Sequence, residues 1–129
     1  MRVLVCGDRN WTDYRMVAAA LEAHHRTVAP GEPFVVIEGG ARGADALAAR
    51  WAFHRSGVDH ERYPADWDRY GKRAGPIRNQ RMLTEGEPDV VLAFHDDLEA
   101  SKGTAHMVRI ARAAGVPVVV LRHEPCPAP

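Results

Sequence analysis

Seven cations, Arg9, Arg42, Lys72, Arg73, Arg78, Arg81 and Lys102, stand in the segments that lead from expected strands to expected helices, or at the start of the helix that follows. Guanidinium forks and ammonium groups gathered in such segments suit phosphate. Asp8, Asp45, Asp66, Asp68, Asp96 and Asp97 share the same segments, so some of this charge is expected to be held in ion pairs. Glycines accompany the cations. Gly39, Gly40 and Gly43 lie in "EGGARGAD" directly before an alanine-rich run, and Gly103 and Thr104 lie in "SKGT" before another. A glycine turn ahead of a helix lets an anion approach backbone N–H groups at the positive end of the helix dipole. Tight turning and capping need the same residues, and Thr104 is an expected N-cap. The spacing fits neither G-x-G-x-x-G nor G-x-x-x-x-G-K-[ST], so neither standard phosphate loop is present.

Asp45 and Asp8 are the carboxylates placed to act as a base, although nothing in the sequence orients either one. Asn79, in "GPIRNQRML", could read a base edge or close a turn. Trp11, Trp67 and Tyr70 could stack on a base or cover a core. His95, Asp96, Asp97 and His106 lack the spacing of a ligand set, and no metal site is expected. Cys6 ends an apolar run and reads as a small buried hydrophobe.

The elements that must position these residues follow from periodicity. Val3–Cys6, Phe34–Ile37, Val90–Phe94 and Val118–Leu121 read as buried strands, with His60–Tyr63 as a polar fifth at a sheet edge. Helical spacing joins Tyr14, Val17, Leu21 and Val28, then Ala44, Leu47, Ala48 and Trp51, then Met107, Ile110, Ala111 and Ala114. Pro76 is expected to begin a further helix. The alternation predicts an α/β domain: a five-stranded, mostly parallel sheet of order 3-2-1-4-5, with helices on both faces. In such a sheet every strand-to-helix segment lies along one edge. The crevice where strand order reverses would open between Gly7–Trp11 and Ser101–Thr104.

A chain of 129 residues suits one domain, expected over 1–122, with "HEPCPAP" as a flexible tail at 123–129. A formal net charge of zero argues against a field that recruits nucleic acid or anionic membrane. No apolar run approaches the roughly 20 residues of a membrane span. Met1–Cys6 reaches Gly7 and Asp8 too soon for a signal peptide, and two cysteines make no disulfide framework. A cytoplasmic location is expected.

Four segments, "MRVLVCGDRNWTD", "GGARGADALAARWA", "GPIRNQRM" and "SKGTAHMV…A…GVPVVVL", together resemble the SLOG superfamily, the Rossmann-like group that includes DprA/Smf and LOG proteins. Within it the chain is similar to the small YspA-related branch of bacteria and phages, over residues 1 to about 122. The resemblance implies a Rossmann-like domain holding nucleotides or nucleotide-derived ligands at the motif-bearing rim. It points to Gly7, Asp8, Arg9, Gly39, Gly40, Arg42, Gly43, Asp45, Arg78, Asn79, Gly103 and Thr104. LOG hydrolases carry PGGxGTxxE, whereas "ASKGTAHMV" lacks the two leading glycines and has Met107 in the place of the glutamate. The expected function is therefore binding of a phosphorylated nucleoside derivative. Hydrolysis of an N-glycosidic or phosphate bond and DprA-like binding of single-stranded nucleic acid are the alternatives. Homo-oligomerisation is also expected from the resemblance.

Overall fold

Four β-branched, apolar stretches too short for helices, with a polar fifth at one edge, pair side by side and leave the helical segments to cover both faces. In the computed structural model, which describes residues 1–123, the strands are β1 (Arg2–Gly7), β2 (Phe34–Glu38), β3 (Val58–Arg62), β4 (Val90–Phe94) and β5 (Val118–Leu121). All pairings are parallel and the order is β3-β2-β1-β4-β5, as predicted. The helices are α1 (Tyr14–His25), α2 (Ala44–Phe53), a single turn α3 (Trp67–Tyr70), α4 (Ala74–Gly86) and α5 (Gly103–Ala113). Short 3-10 turns at Gly71–Arg73 and Leu98–Ala100 precede α4 and α5.

Strand side chains alternate between two cores because successive residues point to opposite faces. Val3, Val5, Val36, Leu92 and Phe94 pack with Val17 and Leu21 of α1 and with Ala48 and Trp51 of α2. Leu4, Ile37, Val91 and Ala93 pack with Met82 of α4 and with Met107 and Ala111 of α5. Each fully buried large apolar side chain contributes about 1.5–3 kcal/mol. Met107 is among them, so the position where LOG enzymes have a glutamate is core in this chain.

Several boundaries differ from the expectation. β3 starts at Val58, two residues before His60, because its backbone follows the ladder with Phe34–Glu38. α4 begins at Ala74, which makes Pro76 its third residue; amides of the first helical turn have no intrahelical partner, so the missing N–H still costs nothing. α1 ends at His25, and Val28 reaches the core from the turn beyond. Thr104 is not the cap of α5. It is the second helical residue, and its N–H donates to Ser101 Oγ at 3.0 Å. The tail expected at 123–129 lies, from 124 on, outside the described residues. His123 is held: its ring stacks on Trp11 at 4.7 Å and bridges Asp96 and Asp13.

Candidate functional site

The carboxyl ends of β1 and β4 part from each other because their following segments diverge, β1 toward α1 on one face and β4 toward α5 on the other. A cavity of about 370 Å³ opens there. It is lined by Gly7, Asp8, Arg9, Arg42, Asp45, Arg78, Asn79, Gly103 and Thr104, nine of the twelve residues singled out in the sequence. Gly39 and Gly40 line an adjoining space, and Gly43 lines neither. Lys72, Arg73 and Arg81 fall outside the crevice, with Arg81 paired to Glu85 on its own helix.

The glycines serve closer purposes than phosphate approach. A Cβ on Gly7 would overlap the carbonyl of Phe94, and one on Gly43 would overlap the backbone of Asp8 and Arg9. Gly43 also has φ +78°, a conformation that side chains resist. It lets the segment after β1 lie against the start of α2, where Ala44 N–H donates to Asp8 O at 3.2 Å. Gly39 makes room for the Arg78 guanidinium, whose Nη1 donates to the Gly39 carbonyl.

Two buried carboxylates fill the glycine turn from within. Asp45 Oδ2 accepts from Gly39 N–H at 2.9 Å and from Ala41 N–H at 3.4 Å. Glu38, fully buried at the end of β2, accepts from Gly40 N–H at 2.7 Å, from His60 Nε2 at 2.8 Å and from Arg62 Nε at 2.7 Å. The amides that the sequence offers to a ligand at Gly39–Ala41 are therefore already engaged. What remains open are the first-turn amides of Asp45 and Ala46 in α2 and of Gly103 and Ala105 in α5, which have no acceptor among the described residues.

Burial, with the Glu38 charge added to it, pushes Asp45 up from 3.8 to about 6. Burial works against the Arg78 charge and lowers its pKa, while Asp45 pulls it back up. Burial also raises the Cys6 thiol far beyond its ordinary value, with Asp45 reinforcing the effect. Both effects disfavour a thiolate at Cys6. Asp8 Oδ1 accepts from Asn10 N–H at 2.9 Å, and its Oδ2 stands 4.0 Å from His95 Nε2. The Asn79 amide is engaged at both ends: it donates to Gly103 O and pairs with His106 Nδ1, and its Oδ1 accepts from Arg78 Nε. It joins α4 to α5.

Arg9, Arg42 and Lys102 make no ion pair among the described residues. Trp11 is a buried lid whose Nε1 donates to Asp13 O, whereas Trp67 is 51% exposed. Sequence reasoning missed Glu38 altogether and weighed His95 only as a metal ligand. Among the described residues no group of three or more His, Cys, Asp or Glu side chains is placed to hold a metal ion. No helix there is long and apolar enough to cross a membrane.

A five-stranded parallel sheet of this order, with helices on both faces and its crevice at the reversal of strand order, defines a Rossmann-like α/β domain. The chain belongs to the YspA, cpYpsA-related SLOG family, whose model matches residues 1–70. It is 44% identical over 131 residues to the Gene 61 protein of Mycobacterium phage D29, covering 96% of this chain and 98% of that protein. No solved structure matches the chain. Membership connects it, at the level of the family, with nucleotide-related binding or processing.

Proposed function

We propose that the chain binds a nucleotide or nucleotide-derived phosphorylated ligand in the crevice between β1 and β4, as a sensor or a processing protein. The observation that carries this reading is the convergence of Arg9, Arg42 and Lys102, none of them ion-paired among the described residues, on one cavity that also receives the first turns of α2 and α5. Arg62 faces Glu38, and Arg78 lies beside Asp45, so the buried carboxylates do not neutralise these three. A hydrogen bond to a charged group contributes about 1.5–3 kcal/mol, and the crevice offers several. Thermal unfolding against nucleoside phosphates, ADP-ribose and cyclic dinucleotides tests it. A true ligand at 100 times its Kd stabilises by about 2.7 kcal/mol. A melting point that no compound moves sinks the reading.

Hydrolysis in the same crevice is the second reading. One observation favours it: Asp45 lines the cavity with a pKa near that of a working acid or base. Incubation with a bound nucleotide must then release base or phosphate, and Asp45→Asn must abolish the release. Binding without any product rejects it.

A further inference from the structure

The crevice is one of two adjoining spaces. A second cavity of about 500 Å³ lies beyond it, and Arg9, Ala41, Arg42 and Arg78 line both. Ligand sites span about 300–1,000 Å³, so each space alone is a small one. Their walls differ. The first carries Asp8, Lys102 and the helix starts; the second is bounded by Gly39, Gly40, Pro64, Ala65 and Trp67.

Trp67 is the telling residue. It is half exposed, and among the described residues no ring or guanidinium stacks on it, although Tyr70, Tyr63, Tyr14 and Trp51 each have an arginine over them. An indole face left in a cavity regains apolar burial and stacking energy from a planar guest. Arg78 gives Nε to Asn79 and Nη1 to Gly39, which leaves further N–H donors of its fork for the boundary between the two spaces. Anions belong at that boundary, with ring systems on either side.

Resting on the proposed nucleotide binding, we infer that the ligand is two-headed. Its phosphates lie among Arg9, Arg42 and Arg78, one nucleoside occupies the crevice, and a second planar ring stacks on Trp67. The chemical class is a dinucleotide, linked through one or more phosphates.

Titration calorimetry with AMP and ADP as single-headed probes, and with NAD⁺, diadenosine diphosphate and cyclic di-AMP as two-headed ones, tests this. At least one two-headed probe is expected to bind 10-fold or more tighter than AMP. Trp67→Ala should weaken binding of that probe by about 5- to 160-fold, the range for one lost base–aromatic stack, and Trp67→Phe should retain most of the affinity. Iodide quenching of the unsubstituted protein gives a readout that no folding defect disturbs. The two-headed probe should shield Trp67, since Trp11 and Trp51 are already buried. Equal affinity for both classes, an advantage that survives Trp67→Ala, or an unshielded Trp67 overturns the inference while leaving single nucleotide binding intact. Silence from every probe overturns both. Binding only of a dodecameric thymidine strand, falling steeply with salt, overturns both in favour of single-stranded nucleic acid.

Discussion

Replacing Asp45 by asparagine should stabilise the protein at neutral and alkaline pH. The carboxylate is buried beside Glu38, and its pKa stands at about 6 against an ordinary 3.8. A native state that binds this proton more tightly than the unfolded chain loses stability as pH rises between those two values. Above about 6 the loss is complete. A difference of roughly 2 in pKa, at about 1.36 kcal/mol each, makes it about 3 kcal/mol. Asparagine keeps an oxygen to accept from Gly39 and Ala41 N–H and carries no charge, so the gain at pH 8 is up to about 3 kcal/mol and near zero at pH 3.5. Part of that gain is offset because Arg78 loses one of its two neighbouring carboxylates. Urea denaturation of both proteins across pH 4–8, with the difference plotted against pH, isolates Asp45 from every other titrating group. A variant less stable than the parent at pH 8 would falsify the claim that burial outweighs the local attractions.

Arg42→Ala removes an exposed guanidinium with no ion pair among the described residues, so thermal stability should change by no more than about 0.5 kcal/mol. Affinity for the best nucleotide in a calorimetric titration should fall about 10-fold or more. Gly43→Ala forces a side chain into a positive φ and against the Asp8 and Arg9 backbone; it should cost about 2 kcal/mol or more in urea denaturation, and a neutral result would contradict the close approach. His123 has its pKa raised by hydrogen bonds to Asp96 and Asp13, so the stability it adds is present below the ordinary value of 6.5 and disappears as pH rises through the raised one. Trp11 emission, reporting on the ring stacked against it, should titrate with a midpoint above 6.5 and stop doing so in His123→Gln.

The order of the sheet was legible because short β-branched runs and right-handed crossovers leave few arrangements, and even the polarity of "HER" placed β3 at an edge. The rim was legible for the same reason, since strand-to-helix segments must share it. What each rim residue touches was not. Gly43 looks like any phosphate-loop glycine until the backbone after β1, some 35 residues away, is found against it. Glu38 reads as the first residue of the loop that follows Phe34–Ile37. Its burial is matched by hydrogen bonds from His60 and Arg62, and those two donors spaced by two on the neighbouring strand were the available signal. Ser101 capping α5 in place of Thr104 was equally hidden, because the choice depends on a 3-10 turn that periodicity does not register.

Glu38 and Asp45 satisfy the amides around Gly39–Ala41, so the lip of the sheet is closed by the protein's own hydrogen bonds. On the proposed reading, a guest there would meet those closed turns and deal chiefly with projecting arginines, lysine and indole. Selectivity would then rest on a few side chains, and point substitutions would retarget the platform without touching its loop architecture.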